Sequence, residues 1–516
     1  MHDGEVITQP LPRSVPRQPD LTTPAYGALV GALLTTALVA VWYFGWKAFG
    51  LPFAPFDIFD WLVRALPGPF VTRVIEINVV VARALGASSI GSAAKAADQV
   101  TAVGGLIAAG ALAGAALFAL MRLSGEPPGF IGLLVGIIAA VLTVAAEISL
   151  NRVPGGSMRR SLPVLWVAIT FAAWGFLSAK VYDVVSSLQS PVSSQSPVAS
   201  RRRFLARVAG LAALTTVAAA ILGELAGRLG RAAGSRRWSD DHALPNAASP
   251  VVPVPGTRAE FTRLEDHYRI DTNTRPPEID GDRWRLVVGG LVERPLVLSL
   301  ADIRALPATD QFVTLSCISN PVGGDLIGTT RWSGVSLQQL LARSGVAPSA
   351  THLRVISADG FYEAVSIDAI RSNSRVMLAY AWDGVPLSTE HGYPLRLYVP
   401  DLYGMKQPKW IASIEAIDHW EPGFWVARGW DREGRVKTTA AVDAVVRRGD
   451  VVEVGGFAYA GARGISRVEV RANEGERQAA DIREPISETT WVIWRTEFKL
   501  PEGNHHFAVE AFERTT

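Results

Sequence analysis

Long apolar runs occupy the first part of the chain, and short mixed runs replace them after about residue 230. A helix needs about 20 apolar residues to cross the hydrocarbon core of a bilayer. Five segments approach this pattern, the last being shorter and rich in alanine and glycine: residues 26–46, 101–121, 129–146, 161–179 and 208–223. The pattern predicts an N-terminal α-helical membrane domain over residues 1–230, with about five transmembrane helices.

Residues 52–98, between the first two predicted spans, mix apolar stretches with charged side chains. The charges belong to Asp57, Asp60, Arg64, Arg73, Glu76 and Arg83. This pattern favours amphipathic or interfacial helices over a further transmembrane span.

The second half of the chain has the pattern of soluble protein. Residues 231–257 are rich in proline and mixed polar side chains, which predicts a linker. In residues 258–430, strand-like and helix-like runs alternate; they are 284–288, 352–356 and 395–399 for strands and 300–305 and 337–342 for helices. This order predicts an α+β domain rather than a repeating βαβ arrangement.

Residues 431–516 differ again, because apolar and polar positions alternate there with the period of a strand. Glycine-bearing turns separate four such segments, at 451–457, 465–471, 490–498 and 505–512. Several short strands with little helix predict an all-β, immunoglobulin-like sandwich.

Composition excludes several functions. Hydrophobic residues make up 49% of the chain and the net charge is only +2, which is too apolar for an ordinary soluble enzyme and too weakly basic for nucleic-acid binding. No glycine motif of a nicotinamide, flavin or nucleotide-triphosphate site is present. Since no histidine lies in a predicted span and there is one cysteine, we expect neither haem nor an iron–sulfur cluster.

The one cysteine, Cys317, precedes the short segment 321–325, which contains two glycines. A single thiol forms no intramolecular disulfide and cannot supply the roughly four ligands of a structural zinc site. Cys317 is therefore either an inert buried residue or the single thiolate ligand of a soft metal centre that brings its other ligands along.

Residues 200–205, Ser-Arg-Arg-Arg-Phe-Leu, stand directly before the fifth apolar segment and fit the twin-arginine export pattern. The alternative is a plain cluster of arginines on the cytoplasmic side of a span. The twin-arginine route moves folded proteins, so the pattern favours a domain that acquires a cofactor before export. We therefore expect a multi-pass cell-membrane protein with its catalytic domain on the extracytoplasmic side.

The soluble region resembles the sulfite oxidase superfamily of molybdopterin-dependent oxidoreductases, in its bacterial membrane-anchored form. The resemblance rests on ordered motifs at residues 267–272, 284–286, 315–320, 331–335, 391–396 and 403–410. It implies a molybdenum–molybdopterin cofactor with Cys317 as the metal ligand and Asn320 at the catalytic centre. It also implies that the cofactor is bound by Tyr268, Arg269, His391, Arg396, Lys406 and Lys409.

The chain departs from this family after Asn320. Sulfite oxidases carry arginines there that attract a sulfur oxyanion, whereas this chain has Pro-Val-Gly-Gly-Asp at 321–325. Sulfite is therefore a doubtful substrate, although an arginine could come from elsewhere, with Arg331 the nearest candidate. Asp325 is expected either to exchange a proton in catalysis or to cap a turn. Tyr362 is expected either to line the pocket or to pack in the core.

These features predict a membrane-anchored enzyme that performs oxygen-atom transfer on a small molecule, by S- or N-oxide reduction or by oxyanion oxidation. Because the chain offers no second redox centre, we expect electrons to pass through a separate cytochrome or quinone-linked protein. The C-terminal sandwich resembles the family's dimerisation domain, which implies a homodimer. The alternative is a non-catalytic membrane protein that displays a cofactor-binding domain or a β-sandwich for adhesion or assembly.

Overall fold

The computed structural model describes residues 20, 22–84, 90–150, 157–187, 210, 213–218, 221–222 and 236–514. The chain divides into two compact units. The helical unit comprises Met1–Pro55, Val103–Ala145 and Pro154–Gly230, and the mixed unit comprises Phe56–Ala102, Ala146–Val153 and Arg231–Thr516. Each unit is therefore assembled from segments that are distant in sequence.

Before residue 188, the described part of the chain contains six helices: α1 (Pro24–Phe49), α2 (Ala54–Ala65), α3 (Gly68–Ala84), α4 (Ile90–Leu123), α5 (Pro128–Ser149) and α6 (Ser157–Ser187). Among the described residues, α1, α5 and most of α4 and α6 are long and apolar enough to cross a membrane. This confirms four apolar helices at the first four predicted spans. Of the fifth, residues 213–218 are helical, and the rest lies largely outside the described residues, as does the segment 200–205.

Small residues set the packing of the helical unit. A Cβ added at Gly31 of α1 would overlap the carbonyl oxygen of Gly110 in α4, and one at Gly132 of α5 would overlap the carbonyl oxygen of Gly175 in α6. Close backbone approach of this kind drives helix association where water provides no hydrophobic force. The indole of Trp42 also donates to Thr170 Oγ1 at 2.9 Å, which satisfies a buried polar group between α1 and α6.

The described residues of the segment predicted as amphipathic or interfacial form α2, α3 and the beginning of α4, which belong to the mixed unit from Phe56 onward. Asp57 and Asp60 of α2 are fully buried. Their partners lie more than 200 residues later, since Thr274 N donates to Asp60 Oδ1 at 2.8 Å and Arg275 Nη2 lies 3.2 Å from Asp57 Oδ1. The polar face of α2 is therefore buried against protein.

Two sheets form the centre of the mixed unit. Their strands are β1 (Leu286–Gly290), β2 (Leu296–Leu298), β3 (Ala308–Ser316), β4 (Ile327–Ser336), β5 (His352–Ser357), β6 (Tyr362–Ser366), β7 (Met377–Trp382), β8 (Val385–Pro386), β9 (Arg396–Tyr398) and β10 (Ile411–Ile417). One sheet has the order β2-β1-β10-β5-β6, and the other has β3-β4-β7-β8 with β9 also paired to β7. Only β1 and β10 pair in parallel among these strands.

Three short helices pack on these sheets: α7 (Leu300–Arg304), α8 (Leu337–Ser344) and α9 (Ile367–Ser372). Ser299 caps α7 by accepting a hydrogen bond from the amide of Asp302. Gly345, with a φ of 65°, ends α8 in the left-handed conformation. The predicted strands and helices of this region are confirmed, and the domain is α+β.

The C-terminal part is all-β, as predicted. Its strands are β11 (Thr439–Arg448), β12 (Val451–Tyr459), β13 (Ile465–Ala472), β14 (Gln478–Ala479), β15 (Asp481–Ile482), β16 (Val492–Lys499) and β17 (Phe507–Glu513). They form a four-stranded sheet, β11-β12-β16-β15, and a three-stranded sheet, β14-β13-β17. Apolar side chains of both sheets, including Val454, Val470 and Trp494, share one core.

The proline-rich residues before the α+β domain lie against the rest of the mixed unit. Arg483 donates to the carbonyl oxygens of Val251 at 2.6 Å and Asn246 at 3.0 Å. The amide of Trp238 donates to the carbonyl oxygen of Asp383 at 2.8 Å. The described part of the predicted linker, residues 236–257, is thus held by both the α+β domain and the sandwich.

Candidate functional site

Cys317 directly follows β3 and begins the loop that connects β3 to β4. These strands pair without a register shift from Ala308 opposite Val335 to Ser316 opposite Ile327, so residues 317–326 form the connecting loop. The amide of Cys317 donates to the carbonyl oxygen of Leu326 at 2.9 Å. The hairpin therefore fixes the backbone of Cys317 on one side of this loop.

The side chain of Asn320 closes the same loop from within. Its Oδ1 accepts a hydrogen bond from the backbone N–H of Leu326 at 2.9 Å. The backbone N–H of Asn320 donates to the carbonyl oxygen of Cys317 at 3.0 Å. A Cβ at Gly324 would lie 2.5 Å from Asn320 Oδ1, so only glycine fits there without displacement. In this conformation Asn320 positions the loop around Cys317.

Arg258 supports the loop from outside. Its Nε and Nη2 pair with the two carboxylate oxygens of Asp443 at 2.8 and 2.7 Å. Its Nη1 and Nη2 also donate to the carbonyl oxygens of Gly324 and Gly323, each at 3.3 Å. The guanidinium lies 3.7 Å from the ring centroid of Phe457. The sequence analysis missed Arg258, because a lone arginine at the start of the predicted domain carries no motif.

The surroundings of Cys317 favour its neutral form until a cation is present. Burial raises the pKa of the Cys317 thiol, while hydrogen bonds from the backbone and side chain of Ser319 oppose the rise. A buried thiol with a raised pKa becomes a thiolate when a bound metal ion stabilises the charge. The site therefore suits metal ligation better than free-thiol chemistry.

Tyr268 extends towards the same end of β3. A Cβ at Gly404 would lie 3.4 Å from the Tyr268 hydroxyl and 3.7 Å from the carbonyl oxygen of Ser316. The pKa of Tyr268 is raised well above its usual value, first by burial and then by the negative charge of a Cys317 thiolate. The phenol and the thiol are thus electrostatic neighbours.

Two buried histidines join Tyr268 to the loop at 391–396. His391 Nε2 lies 3.2 Å from the carbonyl oxygen of Tyr268, and His391 Nδ1 lies 2.9 Å from Ser388 Oγ. The ring of His267 lies 5.5 Å from that of His391. Burial lowers the pKa of His267 to about 4 and the pKa of His391 well below its usual value. Both rings are therefore neutral at pH 7; His267 was missed by the sequence analysis.

Arg396 is a buried cation, with 3% of its surface exposed. Its Nη1 donates to the carbonyl oxygen of His391 at 3.1 Å, and its guanidinium lies 4.5 Å from the ring of Trp332. Its Nε has no hydrogen-bond partner, and no described carboxylate lies within ion-pair distance. Burial lowers the pKa of Arg396 to about 10, which still leaves it charged. A buried cation in this state fits an anionic ligand.

Arg269 and Lys409 meet at Asp271. Arg269 Nε and Lys409 Nζ lie 2.9 and 3.2 Å from Asp271 Oδ2. Burial alone would raise the pKa of Asp271, but the charges of Lys409, Lys95 and Arg269 outweigh it and hold the pKa well below its ordinary value. Arg269 Nη2 is buried without a partner, so part of this cluster remains open to a ligand.

Lys406 is engaged elsewhere. Its Nζ donates to Glu363 Oε1 at 2.7 Å, and both side chains are almost completely buried. The sequence analysis expected Lys406 to bind the cofactor; in this structure it forms an ion pair with a carboxylate instead. Its part in cofactor binding stays a prediction that a mutation can test.

The remaining predicted residues flank the loop. Asp325 is half-buried and immediately precedes Leu326, whose amide is bonded to Asn320. Tyr362 begins β6, and its ring lies 6.2 Å from that of Phe424. The structure therefore groups Cys317, Asn320 and Asp325 on one loop and collects Tyr268, Arg269, His391, Arg396 and Lys409 in one contact network.

Comparison with known proteins agrees with this arrangement. The family described as the oxidoreductase molybdopterin binding domain matches residues 273–425. The uncharacterized oxidoreductase YuiH of Bacillus subtilis is 31% identical over 165 residues, which is 32% of this chain and 81% of that protein. Human mitochondrial sulfite oxidase is 28% identical over 278 residues, or 44% of this chain, and this chain spans only about half of its length (51%).

One further relative and one solved structure were also matched. A protein of Azospira oryzae named "Putative protein-methionine-sulfoxide reductase subunit YedZ1" is 29% identical over 187 residues, 36% of this chain and 68% of that protein. The solved structure of the sulfane dehydrogenase SoxCD from Paracoccus pantotrophus aligns with a TM-score of 0.45 and 20% identity, over 55% of this chain and 85% of that one.

The comparisons and the site lead to the same conclusion. YuiH of Bacillus subtilis is 31% identical to this chain, and the matched region covers 81% of that protein. The buried thiol of Cys317 and the partly unpaired guanidinium of Arg396 fit a soft metal and an anionic pterin, respectively. This chain therefore belongs to the sulfite oxidase family, and it is a molybdenum-dependent oxidoreductase with a molybdenum–molybdopterin cofactor.

Proposed function

We propose that this enzyme reduces a small, uncharged S-oxide or N-oxide. The observation that supports this choice is the pairing of two arginines, Arg258, which contacts the Cys317 loop, and Arg331, which lies on β4. Arg258 is paired with Asp443, and Arg331 Nη2 lies 2.8 Å from Asp310 Oδ2. Each guanidinium is thus neutralised by a carboxylate, whereas an oxyanion such as sulfite needs an unpaired cation.

The loop itself offers little to an anion. Residues 321–325 contain one charged side chain, Asp325, which would repel an oxyanion. An uncharged oxide requires only hydrogen-bond donors and room beside the metal. The name of YedZ1, which refers to methionine sulfoxide, is in keeping with such a substrate for this chain.

The proposed roles of the site residues follow from their contacts. Cys317 would hold the molybdenum through its thiolate, and Asn320 and Arg258 would keep the loop in place. Arg396 and Arg269 would bind the anionic end of the pterin through their buried, unpartnered N–H groups. When bound, the cofactor supplies two-electron oxygen-atom transfer, and Asp325 is the nearest carboxyl group on the loop for moving a proton.

The substrate assay uses the full chain, purified in detergent with its cofactor. Rates are measured with methionine sulfoxide, trimethylamine N-oxide and dimethyl sulfoxide and a reduced dye as electron donor, and with sulfite and an oxidised dye. We expect kcat/KM to be highest for an uncharged oxide and to be lost in Cys317→Ser together with the molybdenum. Sulfite oxidation that exceeds every oxide reduction would refute the substrate assignment while leaving the family intact.

We further propose that the catalytic domain is anchored in the cell membrane on the extracytoplasmic side. Residues 56–102 belong to the same unit as residues 231–516, so we place them on the same side of the membrane. Three apolar helices, α4, α5 and α6, follow from there, and three crossings place the end of α6 at Ser187 on the opposite side. The chain must then cross once more before Arg236, and the predicted fifth span at 208–223 would provide that crossing.

Export on the twin-arginine route accounts for this placement. Replacing Arg201 and Arg202 by lysines should leave the catalytic domain in the cytoplasm, where added protease does not reach it in intact spheroplasts. The unchanged chain should be cleaved under the same conditions. Equal cleavage of both would contradict twin-arginine export.

We also propose that a separate redox partner exchanges electrons with this enzyme. We further propose a homodimer that pairs through an immunoglobulin-like sandwich at 431–516, and sedimentation of the detergent-solubilised protein tests that dimer.

A further inference from the structure

The segment that follows Tyr268 and Arg269 is contacted by helices from the first hundred residues of the chain. Arg64 Nη2 of α2 donates to Asn273 Oδ1 at 2.7 Å. Asp60 accepts from the amide of Thr274, and Asp57 pairs with Arg275. These contacts all lie within the mixed unit, and they attach α2 to residues 273–275.

Lys95, at the beginning of α4, makes contacts of a different kind. Its Nζ donates to the carbonyl oxygens of Asp271 at 2.9 Å and Asn273 at 2.7 Å. It also lies 3.7 Å from Asp271 Oδ1 and 3.3 Å from Asp98 Oδ2. Only 9% of Lys95 is exposed. The ammonium group therefore bonds two backbone carbonyls and faces one oxygen of a buried carboxylate.

The other oxygen of that carboxylate faces Arg269 and Lys409, two residues predicted to bind the cofactor. Asp271 Oδ2 accepts from Arg269 and Lys409, whereas Asp271 Oδ1 accepts from the amide of Asn273 at 3.0 Å and faces Lys95. Asp271 thus connects a lysine of the N-terminal helical segment with two cations predicted to hold the pterin. The three cations outnumber the two carboxylates that pair with them, those of Asp271 and Asp98, and this excess of positive charge favours an anionic ligand.

Loss of Lys95 would act on this cluster in two ways. Two buried carbonyl oxygens, those of Asp271 and Asn273, would lose their donor, which loosens the turn that orients Asp271. The carboxylate would also be shared by two cations rather than three. Arg269 and Lys409 would then be held more closely by Asp271 and be less available to an anion.

We propose that Lys95 is a positioning residue for the molybdopterin cofactor and acts through Asp271. The inference rests on the predicted cofactor contacts of Arg269 and Lys409 and is independent of the substrate. It assigns a part of the cofactor site to a helix that continues into a membrane span, so the soluble region alone lacks one of its supports.

The test compares Lys95→Met with Asp57→Asn in the full chain. Asp57→Asn weakens an ion pair in the same group of contacts without touching Asp271, so it is the control for helix attachment alone. The measured quantities are the molybdenum-to-protein ratio after purification and the rate of pterin release in cofactor-free buffer. We expect release about tenfold faster in Lys95→Met, as for loss of a group that orients a ligand, and unchanged in Asp57→Asn.

Two further variants distinguish positioning from folding. Lys95→Arg keeps the charge and donors and should restore slow release to within about threefold of the unchanged chain. Lys95→Gln keeps a donor for the carbonyls but lacks the charge, should release pterin at an intermediate rate, and replaces Lys95→Met if that protein does not accumulate. Release in Lys95→Met or Lys95→Gln as slow as in the unchanged chain, or equally fast release in Asp57→Asn, would overturn the proposal.

Discussion

The buried pair of Lys406 and Glu363 allows a structural role to be separated from cofactor binding. Lys406 Nζ lies 2.7 Å from Glu363 Oε1, with side-chain exposures of 6% and 0%. Removing one partner of a buried ion pair costs about 3–5 kcal/mol, because the other charge is left without compensation. Replacing both partners by apolar residues of similar size is often neutral.

The two single variants should differ in their response to pH. Burial raises the pKa of Glu363, and the charge of Lys406 opposes that rise. In Lys406→Met this opposition is lost and the pKa rises further, so protonated Glu363 is favoured in the folded state. Stability of Lys406→Met should therefore be greater at pH 6 than at pH 8. Glu363→Leu removes this carboxylate, so the gain in stability at pH 6 should be absent from that variant.

The assay is thermal unfolding of the full chain in detergent, followed by tryptophan fluorescence, for a double-mutant cycle. A loss of about 3–5 kcal/mol corresponds to a midpoint lower by about 6–20 °C in a domain of this size. The double variant Glu363→Leu/Lys406→Met should melt within about 4 °C of the unchanged chain, as for a change of about 1 kcal/mol. Additive losses in the double variant would refute the reasoning from pairing.

The molybdenum content of the double variant decides the role of Lys406. A stable double variant with full molybdenum would make Lys406 a structural residue. A stable double variant that lacks molybdenum would restore the expectation from the sequence that Lys406 binds the cofactor.

Two more predictions concern the residues around the cofactor. Burial lowers the pKa of His267 from 6.5 to about 4, so the folded state is most stable above pH 6.5, where this ring is neutral, and loses up to about 3 kcal/mol as the pH drops to 4. The His267→Gln variant should therefore show a smaller acid-induced drop in unfolding midpoint than the unchanged chain. An equal drop in both would contradict this reasoning. Gly324→Ala places a Cβ 2.5 Å from Asn320 Oδ1, and should lower stability by about 1–3 kcal/mol and reduce the molybdenum content, whereas Gly289→Ala, with nothing within 4 Å, should retain the metal.

The four long apolar helices and the C-terminal strands could be predicted from the sequence, because each is defined by a local pattern. The β3–β4 hairpin next to Cys317 could not be predicted from such a local pattern. Its strands contain Thr314, Thr329 and Thr330, which are buried although their side chains are polar. Thr314 and Thr329 hydrogen-bond to each other, and the amide of Trp491 donates to Thr314 at 3.0 Å. Since these partners come from another strand and from the sandwich, no local alternation reveals the burial.

At the candidate site, too, the motifs predict which residues take part but do not predict which residues pair with one another. Family motifs identified Tyr268, His391 and Arg396, which the structure brings into contact. They could not reveal that Lys406 is paired with Glu363, because that pairing joins two segments 43 residues apart.

The segment between the first two spans shows why an amphipathic pattern is incomplete evidence. Alternation of apolar and charged residues indicates that a helix has a polar face, but the same pattern arises whether that face meets water, lipid headgroups or protein. The distinction depends on whether partners are available. Asp57, Asp60 and Lys95 find theirs in residues 271–275, where a charged side chain and buried backbone N–H and C=O groups satisfy them without water. Residues 271–275, which begin within the motif at 267–272, thus supply the partners that offset the cost of burying these charges. These paired contacts attach α2 and the beginning of α4 to the candidate cofactor site.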